Sequence, residues 1–248
     1  MNEARSLGAP PPVATLQAEG LLALFFDFDG TLVDLAPSPD AIRVAPGLGA
    51  RLEALAARHG DRAALITGRS LADIHAHIGR PRIAMAGSHG IERQTMTGEI
   101  IGASPAVLPP AAQQEIAQLV ARTPGLALED KTFGAAVHFR QAPGLGPAIA
   151  QEAEGIAQAY GLVLKHGKCV VEFVQPGVDK AGAVHIFMAK ERFAGALPIF
   201  IGDDLTDEDA FAAAERHGGF GIIVGSRSPT CARFKLRDPA AVHDWLGL

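Results

Sequence analysis

At 248 residues, with 48% hydrophobic and 20% charged residues, the chain has the composition of an ordinary folded protein of one large or two small domains, which excludes disorder beyond the termini. A formal net charge of −5 with scattered Lys and Arg leaves no basic footprint, so neither nucleic acid nor an anionic membrane is an expected partner. No apolar run approaches the roughly 20 residues of a membrane helix, and no basic stretch leading into an apolar segment opens the chain, so the cytoplasm is the expected compartment.

Residues 1–18 contain Ala9-Pro10-Pro11-Pro12, and consecutive prolines cannot donate to a helix or a ladder, so a flexible leader is expected there. Leu21 to Phe26 reads as a buried strand that stops at Asp27-Phe28-Asp29, with Gly30 marking a tight turn. Pro46-Gly47 then opens a helical spacing of Leu48, Leu52, Leu55 and Ala56 that ends near His59-Gly60. An apolar strand over 63–67 closes in Thr67-Gly68-Arg69, followed by a helix over 71–78 and a strand over 82–86. Such alternation predicts a parallel sheet with helices on both faces, whose ligands bind beyond the carboxyl ends of the strands.

The pattern changes over 102–172: a helix at 110–121, strands at 126–130 and 133–140, a helix at 147–160, and strands at 162–165 and 170–174. This reads as an inserted α+β module, flanked by the glycine-bearing stretches Gly87-Ser88-His89-Gly90 and Pro176-Gly177 as expected hinges. Alternation resumes with a helix over 180–193, a strand over 197–201, a helix over 206–216 and a strand over 221–224. The expected fold is α/β: a doubly wound parallel-sheet core over 19–101 and 173–248, with an α+β cap over 102–172 inserted into it.

Four chemistry-bearing positions fall at strand ends or helix starts of the expected core: Asp27, Thr67, Lys180 and the Asp203-Asp204 pair of G-D-D-L-T-D. Asp27 with Asp203 and Asp207 would repel one another strongly, which implies a bound cation, and all-oxygen ligands favour Mg²⁺. Thr67 offers a neutral donor and Lys180 a positive charge, both suited to phosphate oxygens, and Gly30 and Thr31 offer backbone N–H groups to the same anion. Competing motifs fail: Gly161 to Cys169 is one residue too long for a P-loop and lacks its Ser or Thr, and the two cysteines have no metal-ligand spacing.

In this order, D-F-D-G-T, Thr67, Lys180 and G-D-D-L-T-D, the set resembles the haloacid-dehalogenase-like phosphohydrolase superfamily over residues 20 to 248. The resemblance implies that Asp27 attacks phosphorus to form an aspartyl-phosphate and that Asp29 protonates the departing oxygen and then deprotonates water. Asp27, Asp29, Asp203 and Asp207 become the implied metal set, with Arg69 and His89 beside the substrate. Within that superfamily, G-S-H-G-I-E (Gly87 to Glu92), L-E-D-K with A-V-H-F-R (Leu128 to Arg140), G-K-C-V-V-E (Gly167 to Glu172) and the stretch Gly202 to Phe211 resemble the trehalose-6-phosphate phosphatase family. That family implies hydrolysis of a small sugar phosphate, trehalose 6-phosphate, with Mg²⁺, functional coupling to a trehalose-6-phosphate synthase, and Glu129, Lys131, His138, Arg140, Lys168 and Glu172 as sugar-recognition groups. The chain departs from the family pattern after Glu172, where Phe173-Val174-Gln175-Pro176 lacks a basic residue, and at Ala181, where a glycine is usual. Phosphatases of sucrose or mannosyl-glycerate phosphates, and a phosphomutase, are the alternative enzymes.

Overall fold

The computed structural model describes residues 7–36, 41–102, 107–131, 133–167, 169–176 and 179–248. They fall into two compact units, 1–103 with 179–248, and 104–178.

The first unit begins with α1 (Val13–Glu19) and β1 (Leu22–Phe26), followed by α2 (Leu48–Arg58), β2 (Ala63–Ile66), α3 (Leu71–Ile78), β3 (Ala84–Gly87) and β4 (Glu92–Gln94). The second unit contains α4 (Pro110–Arg122), β5 (Ala127–Lys131), β6 (Gly134–His138), α5 (Gly146–Tyr160), β7 (Val163–Gly167) and β8 (Val170–Val174). The chain then returns to the first unit with α6 (Lys180–Met188), β9 (Leu197–Gly202), α7 (Glu208–Arg216), β10 (Phe220–Val224), β11 (Phe234–Leu236) and α8 (Pro239–Leu246).

The first sheet has the order β11-β10-β9-β1-β2-β3-β4, parallel throughout except for the β3–β4 pair. Its central strand β1 is buried at every position, as the continuous Leu-Ala-Leu-Phe-Phe run requires of a strand covered on both faces. Alternate residues feed two separate cores: Leu24 and Phe26 face a layer with Leu52, Leu55 and Leu65, while Ala23 and Phe25 face one with Val184, Phe187 and Phe211. This is the doubly wound arrangement the alternation predicted.

The second unit is a four-stranded antiparallel sheet, β5-β6-β8-β7, with α4 and α5 packed on one face through Ile116, Leu119, Val137, Ile149, Val171 and Phe173. Against the expected 102–172 this unit spans 104–178: Ile101 packs in the core's apolar layer, and Phe173 and Val174 of β8 pair with both β6 and β7.

Two further expectations are corrected. The described part of the leader is folded: Leu16 of α1 is buried, the Trp245 indole donates to the Pro11 carbonyl at 2.9 Å, and the Lys235 N–H donates to Gly8 at 3.0 Å. Prolines 10–12 cannot donate, but their carbonyls still accept, and α8 uses one of them. The Gly87 to Gly90 turn is no hinge at the unit boundary, since β4 follows it and returns to pair with β3. The other expected hinge includes Gly177, which lies outside the described residues. Among the described residues, no helix is long and apolar enough to cross a membrane.

Candidate active site

Asp27 is the first residue beyond β1. Its N–H still donates to Ile201 of β9 at 2.9 Å, so the ladder continues one step past the strand and fixes the side chain at the sheet's carboxyl edge. Thr67 is placed likewise beyond β2, by a 2.9 Å bond from its N–H to Ala86. Lys180 opens α6, whose N-cap Asp179 accepts from Gly182 N at 2.6 Å. Asp203 and Asp204 follow β9 directly, and Asp204 accepts from Thr206 N–H at 2.8 Å to begin the turn into α7. Four loops of one sheet edge thus converge.

The Lys180 ammonium, 2% exposed, lies between Asp27 Oδ2 at 2.9 Å and Asp207 Oδ1 at 2.7 Å. Burial alone would lower its pKa, but Asp207 and Asp27 more than reverse this and raise it. Asp207 uses its other oxygen to accept from the N–H groups of Asp203 (2.9 Å) and Asp204 (3.0 Å), so both of its oxygens are committed to holding Lys180 and the loop. Asp27 Oδ1 has no partner although it is buried. Oxygens of Asp27, Asp203 and Asp207 all lie within 4.8 Å of one another. Burial, with Asp207 and Asp204, pushes the Asp203 carboxyl up to about 7, and burial raises Asp27 well above its ordinary value despite Lys180.

Three carboxylates against one ammonium leave two negative charges in a half-dry cluster, which a divalent cation would neutralise. An orphaned buried oxygen in an all-oxygen donor set fits a hard cation such as Mg²⁺. Asp203 and Asp27 have oxygens to give to it, whereas Asp207 acts chiefly as the brace of Lys180.

The Asp29 side chain has a different partner. Its two oxygens accept from Arg69 in a fork, Nε at 2.6 Å and Nη2 at 2.8 Å, so its side chain stands outside the cluster. The same guanidinium reaches Asp73 at 2.6 Å, one helical turn on, so Arg69 joins the turn after β1 to the start of α3. Gly30 is required by space: its φ is +70°, and a Cβ there would come within 2.2 Å of Asp203 Oδ2. The Thr31 N–H points to the Phe28 carbonyl at 3.4 Å, within the turn, and its buried hydroxyl has no partner. Thr67 Oγ1 accepts from the Arg69 N–H at 3.2 Å, which leaves its own proton to donate. The His89 ring lies over Gly68 with its backbone in the left-handed region, φ +56°.

Asp27, Asp29, Arg69, His89, Lys180 and Asp203 line one cleft of about 600 Å³ within the first unit. Ser70, Asp73 and Asp204 line it too, and sequence reading did not single out the first two as site residues. Asp73 had a signal: it lies four residues after Arg69 at the opening of a helix.

A family model described as trehalose-phosphatase matches residues 25–240. The chain belongs to the trehalose-phosphatase family. A trehalose-6-phosphate phosphatase of Escherichia coli (strain K12) is 36% identical over 238 residues, which cover 95% of this chain and 89% of that one. A probable trehalose-phosphate phosphatase of Sinorhizobium fredii (strain NBRC 101917 / NGR234) is 37% identical over 209 residues, covering 84% and 79%. A solved trehalose-6-phosphate phosphatase related protein superposes with a TM-score of 0.66 at 26% identity, covering 90% of this chain and 95% of that one.

The residues expected of this family in the cap are partly together. Glu129 and Lys131 are on β5, His138 ends β6, and Glu172 is on β8. Lys131 donates to Glu172 at 2.7 Å, and His138 Nε2 lies 2.7 Å from Glu129. Arg140 lies in the turn after β6, and Lys168 lies outside the described residues.

Proposed function

We propose that this protein hydrolyses trehalose 6-phosphate to trehalose and inorganic phosphate, with Mg²⁺. The observation that carries the reading is the convergence of Asp27, Asp29, Lys180 and Asp203 on one cleft in a chain of the trehalose-phosphatase family. Asp27, its side chain held by Lys180, attacks phosphorus through a carboxylate oxygen; the ester P–O bond breaks and an aspartyl-phosphate forms. Asp29 gives its proton to the departing sugar oxygen, then takes one from the water that attacks the aspartyl-phosphate and regenerates Asp27. A protonated carboxyl donates at one oxygen, so Asp29 exchanges one of its two Arg69 bonds whenever it carries the proton. Thr67 and Lys180 hold phosphoryl oxygens. Asp27 and Asp203 would hold the Mg²⁺, which supplies charge neutralisation on the transferring group.

The cap strands β5, β6 and β8 supply Glu129, Lys131, His138 and Glu172 for the sugar hydroxyls, with Arg140 and Lys168 as further donors. A trehalose-6-phosphate synthase is the class of enzyme that supplies this substrate, and so the functional partner this reading implies. The test is phosphate release by the purified chain from trehalose 6-phosphate, sucrose 6-phosphate, glucose 6-phosphate and p-nitrophenyl phosphate. A kcat/KM for trehalose 6-phosphate at least tenfold above the others, lost in EDTA, is expected; equal values would overturn the substrate assignment.

A further inference from the structure

The cap sheet has two unlike faces. Ala135, Val137, Val171 and Phe173 point into the layer beneath α4 and α5. On the other face the register aligns Glu129, Ala136, Glu172 and Lys165 in one row across all four strands, with Lys131 and His138 beside it. Directly opposed residues of antiparallel strands have Cβ atoms about 4.5–5.5 Å apart and share a face. Glu172 is therefore flanked by two lysines: Lys131 from β5, at 2.7 Å, and Lys165 from β7. Its side chain is 15% exposed, against 52% for Glu129, so it is the more enclosed acid of the two.

We infer that Lys165 is a positioning residue for Glu172 in sugar recognition. This rests on reading the substrate as trehalose 6-phosphate. With Lys131 alone, the Glu172 carboxylate is drawn toward β5; a second ammonium on the opposite strand balances the pull and keeps it centred on the row. Two carboxylates and two ammoniums give the described part of this face no net charge when His138 is neutral, which suits a neutral polyol better than a second phosphate. Each sugar hydroxyl both donates and accepts, and so matches alternating carboxylates and ammoniums. Lys165 stands outside the stretches that carry the family resemblance, so only the strand register reveals it. The bland role for a lysine on an edge strand is to guard that edge against pairing.

The experiment compares Lys165→Met and Lys165→Arg in the full chain, with kcat and KM for trehalose 6-phosphate and p-nitrophenyl phosphate. Lys165→Met is expected to raise KM for trehalose 6-phosphate about five- to tenfold with kcat within twofold, to leave p-nitrophenyl phosphate unchanged, and to lose most of its effect in a Glu172→Ala background. Lys165→Arg is expected to restore most of the affinity. If Lys165→Met does not fold by circular dichroism, Lys165→Gln, which keeps a donor without the charge, carries the same expectation at about threefold. Unchanged KM, or equal losses on both substrates, would overturn the assignment of Lys165 alone. Wild type that does not prefer trehalose 6-phosphate would remove the substrate reading first and this inference with it.

Discussion

Asp203 gives the site a pH dependence whose sign is fixed by its environment. Its carboxyl titrates at about 7 in the folded chain and near 3.9 once unfolded, so between these values the unfolded state sheds a proton that the folded state keeps. Stability of the metal-free protein from this group is thus lost as pH rises from about 4 to about 7, and the penalty is complete above 7. A cation that displaces the proton removes the penalty, so Mg²⁺ should raise the Tm little at pH 5 and most at pH 8. Thermal melts in EDTA and in Mg²⁺ across that range check this; a rise independent of pH would show that Asp203 does not titrate there. Asp27 and Asp29 separate by chemistry. Asp27→Asn should abolish turnover of every substrate, while Asp29→Asn should keep a measurable rate of phosphoenzyme formation from p-nitrophenyl phosphate, whose leaving oxygen needs no proton. Hydrolysis by Asp27→Asn protein would remove the nucleophile assignment. The aspartates and Lys180 were legible in the sequence because each directly follows a strand or opens a helix. The Arg69 fork on Asp29 was not, since it depends on how two turns distant in sequence face each other.

Long, strongly patterned elements were equally legible: β1, α2, β2, α3, α5, β9 and α7 lie within a residue or two of their expected spans. The missed ones are β4 and β11, three residues each and too short to show a period, α1, which follows the prolines read as part of a flexible leader, and α8, which opens on Pro239. Proline at a helix's first turn loses nothing, because that N–H has no partner in any case. The expected helix over 180–193 ends at Met188, and a separate turn over Glu191–Phe193 carries the chain to β9. At this scale the cap strands carry the substrate claim. Glu172→Ala on β8 removes charge-assisted hydrogen bonds worth about 1.5–3 kcal/mol, or roughly ten- to a hundredfold in kcat/KM for trehalose 6-phosphate. With p-nitrophenyl phosphate, which has no sugar, the same variant should match wild type; equal losses would make Glu172 a support of the fold.

Among the described residues each unit has its own apolar layers, with no residue shared between the cap cluster and the two that sandwich the core sheet. Damage should therefore stay local. Phe173, fully buried in the cap, should cost about 3–5 kcal/mol on truncation to Ala. Hydrogen exchange should speed up in β5 to β8 while β1, β2 and β9 keep their protection, and p-nitrophenyl phosphate turnover should outlast that of trehalose 6-phosphate. Loss of protection throughout would show that the two units unfold as one. Strand order has a consequence for how the protein is made. β1 pairs on one side with β2, which follows soon after it, and on the other with β9, which lies beyond the whole cap in the chain. During synthesis one apolar edge of β1 must wait, unpaired, until the cap has been translated, and only then does Asp27 meet Lys180 and Asp203. The mutual repulsion of the carboxylates thus enters at the final docking of β9. A chain cut short within the cap has neither the catalytic cluster nor the strand that seals β1, and its open edge is a template for aggregation.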